Sequence, residues 1–186
     1  MKRTQEDIQD ELLVLQCQSG DSHALKALIA RWQPKLAVLA WRLTSQREAA
    51  QDIVQDSWMA IVRGLKRLDD PARFRTWAYR IVKNKCMDWM RRRAVERKAS
   101  KELHDAALLE SAEIEGESQT DRDVRLLRLA MSQLPQEQRA MLSLHYLDGM
   151  SVTEIGRVLD VPAGTVKSRL HHARNHLKRE LERVET

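Results

Sequence analysis

Residues 151–179 read SVTEIGRVLDVPAGTVKSRLHHARNHLKR, two short amphipathic segments around a tight break. Ser151, with Glu154 three residues on, is a capping-box start for the first segment. Asp160-Val161-Pro162 ends that helix and opens the next, because proline is tolerated in a first helical turn but not inside a helix. A helix, a turn of about four residues and a second helix is the spacing of a DNA-reading helix-turn-helix. In the second helix Val166, Leu170, Ala173, Leu177, Leu181 and Val184 recur at steps of four and three, which predicts one apolar stripe at about 100° per residue. The opposite face carries Ser168, His171, His172, Asn175 and Arg179, with Lys167 and Arg174 on one flank and Arg169 on the other. Every one of these is a hydrogen-bond donor, an acceptor or a cation, the chemistry that base edges and phosphates require. An ordinary solvated basic face would show the same pattern.

The rest of the chain narrows the choice. Its 186 residues suffice for one medium domain or two small ones. Charged residues make up 32% and aromatics 4%, with few glycines and prolines, which suits an all-α soluble protein. No apolar run approaches the roughly 18 residues that span a bilayer. Met1-Lys2-Arg3 leads into acidic residues rather than an apolar signal core, so a cytoplasmic chain without membrane insertion is expected. Cys17 and Cys86 lack CxxC spacing and are expected as reduced, buried thiols.

Net charge is +5, and its distribution is uneven. Glu102, Asp105, Glu110, Glu113, Glu115, Glu117 and Asp121 fall in a stretch without Lys or Arg; setting that −7 aside leaves +12 on the remainder. Two basic blocks joined by an acidic tether follow, the blocks suited to a polyanion and the tether not. The predicted boundaries are a first domain at 1–95, a flexible linker at 96–122 with a transient helix near Ala106–Leu109, and a second domain at 123–186.

Helices are predicted throughout the first block: one marked by Leu12, Leu13 and Leu15 that stops at Gly20, and one capped by Asp21. The latter carries Leu25, Leu28, Ile29, Trp32, Leu36, Leu39 and Leu43, with a local bend at Pro34. A third spans about Glu48 to Leu68, with Ile53, Val54, Trp58, Ile61, Val62 and Leu65 at core spacing. After the break at Asp69-Asp70-Pro71, a fourth runs from Phe74 to about Arg93. In the second block Val124, Leu126, Leu127, Leu129 and Ala130 precede Leu134-Pro135, then Met141, Leu142, Leu144 and Tyr146 lie on a helix that Asp148-Gly149 ends. Trp32, Trp41 and Trp58 sit among apolar neighbours and are expected in the core. Trp77 and Trp89 are interleaved with Arg73, Arg75, Arg80, Lys83, Lys85 and Arg91-Arg92-Arg93, a pattern suited to single-stranded nucleic acid, where rings stack on bases and cations follow the backbone. Phe74, Trp77 and Ile81 also have core spacing, so each ring fits either role.

Together these motifs resemble the extracytoplasmic-function sigma factors, minimal members of the sigma-70 family with only regions 2 and 4. Gly20-Asp21 with Ala24, Leu28 and Pro34 matches the start of region 2. Residues 50–58, AQDIVQDSW, look like its polymerase-binding helix, and Phe74-Arg-Thr-Trp77 with Arg80-Ile81 and Asn84–Asp88 looks like its promoter-melting segment. Leu134-Pro135, Asp148-Gly149, Glu154-Ile155 and Gly164–Arg169 match region 4, so the resemblance covers nearly the whole chain in order.

The resemblance implies roles and partners. Asp52, Gln55 and Asp56 would dock on the clamp coiled coil of the largest subunit of core RNA polymerase, although a solvated helix face is the plainer reading of that spacing. Region 4 would meet the flap of the second-largest subunit. Lys66, Arg67, Asp69, Arg73, Phe74, Trp77, Arg80, Asn84, Arg91 and Arg92 would engage the −10 element of promoter DNA. The loop from Lys66 to Arg73 would hold a flipped base, repaying an unstacking cost of a few kcal/mol. Thr165, Lys167, Ser168, Arg169, His171, His172, Arg174 and Asn175 would read the −35 element as duplex. The linker would follow the polymerase's RNA-exit path. Apolar helix surfaces and a long tether also allow sequestration by an anti-sigma factor, a common control in the family.

Two residues depart from the family pattern: Gln51 stands where an acidic residue is usual, and His172 where an arginine is, which makes one DNA contact weaker or pH-dependent. The chain's end at Thr186 speaks against the subclasses enlarged by C-terminal regulatory domains. No enzymatic activity, metal or cofactor is expected. There is no phosphate-cradling glycine loop or paired carboxylate cleft, and His172 and His176, four apart, lack a third ligand in register. The competing reading is a stand-alone helix-turn-helix regulator, which would require a dimerisation surface and a sensing N-terminal domain.

Overall fold

A computed structural model describes residues 4–99 and 119–184. Helices α1 (Gln5–Gln18), α2 (Ser22–Thr44), α3 (Arg47–Leu65) and α4 (Phe74–Ala99) form the first block, with a 3-10 turn, Pro71–Arg73, before α4. Helices α5 (Gln119–Gln133), α6 (Gln136–Tyr146), α7 (Val152–Leu159) and α8 (Ala163–Val184) form the second, and no strand occurs among the described residues. The all-α class is thus as the composition predicts.

Local chemistry sets the helix ends. Asp21 caps α2 by accepting from the N–H of His23 at 2.7 Å and of Ala24 at 3.2 Å, and Gly20, at φ 96°, supplies the left-handed residue between α1 and that cap. Helix α2 continues through Pro34, whose missing N–H leaves one helical bond unmade. Its stripe of Leu28, Trp32, Leu36, Leu39 and Leu43 packs with Ile53, Val54, Trp58, Ile61 and Leu65 of α3 and with Phe74, Ala78, Tyr79, Val82 and Cys86 of α4. Trp32 anchors this core edge-on to both Phe74 (5.3 Å between ring centroids) and Tyr79 (6.0 Å), each pair contributing about 0.5–1.5 kcal/mol beyond area burial. Burial pushes the Cys86 thiol up to about 12 and raises the half-buried Cys17 thiol as well; both cysteines are free.

Several apolar residues face outward against expectation. On α1 the buried positions are Val14 and Asp10, while Leu12 and Leu15 are exposed. Arg31 Nε donates to Asp10 Oδ1 at 2.6 Å, and this ion pair fixes which side of α1 meets α2. Trp41, expected in the core, is 47% exposed: α2's buried stripe passes through Leu39, Ala40 and Leu43, and Trp41 lies one residue, about 100°, past it. Val62, Val124, Leu127 and Tyr146 are exposed as well.

In the second block Ala130, Met141, Leu142, Leu144, Ile155, Val158, Val166, Leu170 and Ala173 are buried around α8. The two blocks are in contact, α6 against α2 and α7 against α4, and a single apolar core runs through both. Helix α4 extends to Ala99 and α5 begins at Gln119, so helix covers both edges of the stretch read as linker. The helix expected near Ala106–Leu109 lies outside the described residues.

Candidate nucleic-acid interface

The helix-turn-helix forms from the bonds its sequence encodes. Ser151 Oγ accepts from the Glu154 N–H at 3.2 Å, while the Glu154 carboxylate accepts from the Ser151 N–H at 2.8 Å. Asp160 closes α7 in the left-handed region at φ 60°, and the Val161 N–H folds back to the Gly156 carbonyl at 3.0 Å. A Cβ at Gly156 would stand 2.8 Å from the Val161 carbonyl oxygen, so the turn closes directly over a position that only hydrogen can occupy. The Val166 N–H then bonds the Pro162 carbonyl and starts α8.

Helix α8 divides as the periodicity predicts. Val166, Leu170 and Ala173 are buried and Leu177 partly so, while Lys167, Ser168, Arg169, His171, His172, Arg174, Asn175 and Arg179 are exposed and Thr165 half-buried. The structure therefore gathers the proposed −35 residues on one solvent-facing surface. His171 Nε2 lies 3.1 Å from Asn175 Nδ2, so the ring accepts from the amide and orients it. His176 turns the other way, with Nδ1 at 3.0 Å from Gln138 Oε1 and Nε2 at 3.6 Å from Glu180. A carboxylate thus does stand in helical register with His176, contrary to the sequence reading, but it also pairs with Arg183. Among the described residues no three His, Cys, Asp or Glu side chains cluster as metal ligands.

The proposed −10 residues divide into two groups. Phe74 is a correction: at 1% exposure and packed against Trp32 it belongs to the core, because the 3-10 turn delivers it inward as α4 begins. Trp77 is partly buried over Gly64, where an added Cβ would meet its ring at 2.8 Å. Lys66, Arg67, Asp69, Arg73, Arg80, Asn84, Arg91 and Arg92 are exposed. Arg73 pairs with Asp70 at 3.1 Å, Arg91 with Asp88 at 3.0 Å, and Arg80 with Asp160 of the second block at 3.3 Å. Sequence reading missed Gln18, whose amide donates to the carbonyls of Leu65 (2.9 Å) and Leu68 (2.8 Å) and so pins the α3–α4 loop to α1. A single glutamine on a polar helix gives no sequence signal for a contact 47 residues away.

On α3, Asp52, Gln55 and Asp56 are exposed, and Asp56 lies 3.6 Å from Lys85. Beside them an open groove of about 770 Å3 is lined by Ile29, Gln33, Gln51, Gln55, Trp58, Met59, Val62 and Arg63. The outward Val62 and Met59 form part of its floor, and a mixed apolar and amide lining suits a helical partner.

The chain matches two family models in order, sigma-70 region 2 over residues 28–96 and sigma-70 region 4 over residues 125–177. It is 31% identical to the ECF RNA polymerase sigma-E factor of Salmonella typhimurium (strain LT2), covering 91% of this chain and 92% of that protein. It is 27% identical to the ECF RNA polymerase sigma factor SigW of Bacillus subtilis (strain 168), covering 90% and 94%. Among solved structures it resembles CnrH in complex with the cytosolic domain of CnrY, with a TM-score of 0.65 and 27% identity over 94% of this chain and 97% of that one. It also resembles the sigma factor RpoE in complex with the anti-sigma factor NepR from Bartonella quintana, with a TM-score of 0.69 and 26% identity over 85% and 96%. The paired regions, their order and relatives aligned along almost their whole length show that this chain belongs to the extracytoplasmic-function sigma factors of the sigma-70 family.

Proposed function

We propose that the chain binds core RNA polymerase and confers promoter choice, with the first block melting and reading the −10 element and the second reading the −35 element. The observation that carries this is the division of α8: its apolar stripe is consumed by the fold, while eight polar or cationic side chains face solvent together. Ser168, His171, His172 and Asn175 would reach base edges, and Lys167, Arg169 and Arg174 would neutralise phosphates. Thr165, at the start of α8, would meet the backbone near the helix N-terminus.

At the other end Lys66, Arg67, Asp69 and Arg73 form a loop held rigid by Gln18, where a flipped base would lodge, and Arg80, Asn84, Arg91 and Arg92 would follow the strand along α4. Trp77 would contribute a ring edge rather than a full stacking face. Asp52, Gln55 and Asp56, with the groove beside them, would receive the clamp coiled coil of the polymerase's largest subunit, and the second block would meet the flap of the second-largest. The chain acts by binding and contributes no catalytic group. It would work in the cytoplasm, where its template is, and no described helix is long and apolar enough to cross a membrane. Two solved relatives are bound to anti-sigma or cytosolic partner domains, which supports an anti-sigma factor as a further partner here.

The test is reconstitution. The purified chain should comigrate with core RNA polymerase and direct transcription from selected promoters. The logarithm of duplex affinity should fall against log salt with a slope that shrinks by about one for each of Lys167, Arg169 and Arg174 replaced by alanine. Duplex binding as a dimer, with no association with polymerase, would instead establish the stand-alone regulator.

A further inference from the structure

In the 66–73 loop Lys66, Arg67 and Asp69 face solvent, while Leu68 is half-buried against the core. Most bonds that shape this loop are local. The Arg67 N–H reaches back to the Gly64 carbonyl at 2.9 Å and the Leu68 N–H to the Leu65 carbonyl at 3.2 Å. Farther on, Asp70 Oδ1 accepts from the Ala72 N–H at 3.1 Å, and Thr76 Oγ1 donates to the Arg73 carbonyl at 3.1 Å. Bonds that close over two or three residues curl a chain without fixing where the curl points. Gln18 supplies the direction. Its Nε2 donates to the Leu65 carbonyl at 2.9 Å and to the Leu68 carbonyl at 2.8 Å, the two carbonyls that bracket Lys66 and Arg67. Neither acceptor carries a proton, so the atom between them is the amide nitrogen, and both of its hydrogens are engaged. Gln18 is half-buried at the last position of α1, and the turn after it fixes its backbone. There the N–H groups of Ser19, Gly20 and Asp21 bond the carbonyls of Leu15, Cys17 and Gln16 at 3.0–3.1 Å. Helix α1 also packs on Pro71–Arg73, so both ends of the loop rest on one helix.

We propose that Gln18 is a positioning residue for base selection: by tying the carbonyls on either side of Lys66-Arg67 to one nitrogen, it sets the direction in which the loop presents Lys66, Arg67 and Asp69 to an unstacked base of a single strand. This rests on the proposed function for what the loop receives. Gln18 acts through the loop backbone rather than on the strand itself. Selection among bases needs donors and acceptors held to within about 0.5 Å and 10–20°. Lys66 and Arg67 offer donors and Asp69 an acceptor, a set that tells base edges apart only while its spacing holds. A loop free to swing would close on any base within reach and meet an ordering cost for each, so discrimination flattens. Attraction between cations and phosphates does not depend on that spacing. The strand would therefore still be held when selection is lost. The polar face of α8 and the Asp52, Gln55 and Asp56 face of α3 make no bond to Gln18 among the described residues, so their roles should survive its replacement.

The test compares wild type with two variants of the full chain. Gln18→Met keeps side-chain length and helix propensity but has no donor; Gln18→Lys has an ammonium that can donate to both carbonyls. Hydrogen exchange at the Arg67 and Leu68 N–H groups reads the loop directly. Exchange there should be severalfold faster in Gln18→Met and should return toward wild type in Gln18→Lys. Each chain, assembled with core polymerase, then selects from a promoter library randomised at the −10 and −35 positions. Gln18→Met should flatten the −10 base preference severalfold, with −35 preference and holoenzyme yield as in wild type, and Gln18→Lys should restore the −10 preference. The added charge of Gln18→Lys raises affinity for every sequence alike, so it cannot imitate a restored preference. If Gln18→Met loses its helical circular dichroism, Gln18→Glu, whose carboxylate would face two carbonyls, takes its place with the same expectations. Unchanged exchange at Arg67 and Leu68, a −10 profile as sharp as wild type's despite faster exchange, or a Gln18→Lys chain that fails to restore selection would overturn the role of Gln18. A wild-type holoenzyme that selects at −35 but not at −10 would instead overturn the proposed reading of the loop, while exchange still decides whether Gln18 holds it.

Discussion

Replacing Gly156 by alanine tests the geometry of the helix-turn-helix more directly than removing any residue proposed to face DNA. The new Cβ would lie 2.8 Å from the Val161 carbonyl oxygen, where ordinary contact begins at 3.4 Å; the oxygen belongs to backbone and the Cβ is fixed rigidly on its Cα, so neither can swing aside. Overpacking of this kind costs about 1–3 kcal/mol, and alanine returns about 1 kcal/mol of helix propensity, leaving a net loss of about 1 kcal/mol. Gly164, two residues into α8, is the internal control: nothing lies within 4 Å of an added Cβ there, so alanine gains some propensity without a clash. The two variants should differ by roughly 2 kcal/mol, or roughly 4–8 °C in Tm for a chain of this size. Thermal denaturation followed by circular dichroism reads the difference. Duplex binding should fall only for Gly156→Ala, because relieving the clash tilts α8 relative to α7. A Gly156→Ala protein that melts at or above Gly164→Ala would refute the close turn packing.

Phe74→Ala should remove about 3–5 kcal/mol and lower Tm by roughly 10 °C, as expected of a core ring and not of a base-stacking one; Asn84→Ala, on an exposed residue, should leave Tm unmoved. Asp56→Arg should weaken polymerase binding on every promoter, whereas His172→Ala should weaken transcription in a promoter-dependent way; equal, promoter-independent losses in run-off assays would count against both roles. The Cys86 thiol should resist alkylation at pH 8 in the folded chain. Because its pKa is raised, the unfolded state loses a proton that the native state keeps once pH passes the ordinary value of 9.0, so stability from this group declines from there toward about 12. Denaturant titration across that range, with a Cys86→Ala reference, measures the slope.

The helix-turn-helix was legible in the sequence because its determinants are local. A capping box, a break at Asp160-Val161-Pro162 and an apolar stripe each act within a few residues, and each stands where predicted; the left-handed φ of Asp160 is what the structure adds. The polar face of α8 followed by subtraction. Rotation of the helices about their own axes was less legible. Leu12 and Leu15 outweigh Val14 in any count of apolar residues, yet the Arg31–Asp10 pair turns Val14 inward. Phe74 illustrates the same limit, since its neighbours Arg73 and Arg75 suggested a nucleic-acid surface and only the fold shows the ring meeting Trp32. The contacts of Gln18, and of Asp148 with Arg42, join residues 47 or more positions apart through single polar atoms, which no periodicity encodes.

The Gln18 staple bears on how such a protein is taken apart. The match to region 2 begins at residue 28, beyond the end of α1. A chimera cut at that boundary to transplant promoter choice would carry every residue proposed to face the −10 element. It would nevertheless leave behind the Val14 plug of the core and the Gln18 amide that ties down the loop from Lys66 to Arg73. The first helix touches neither promoter element in the proposed scheme, yet the portable unit of recognition includes it.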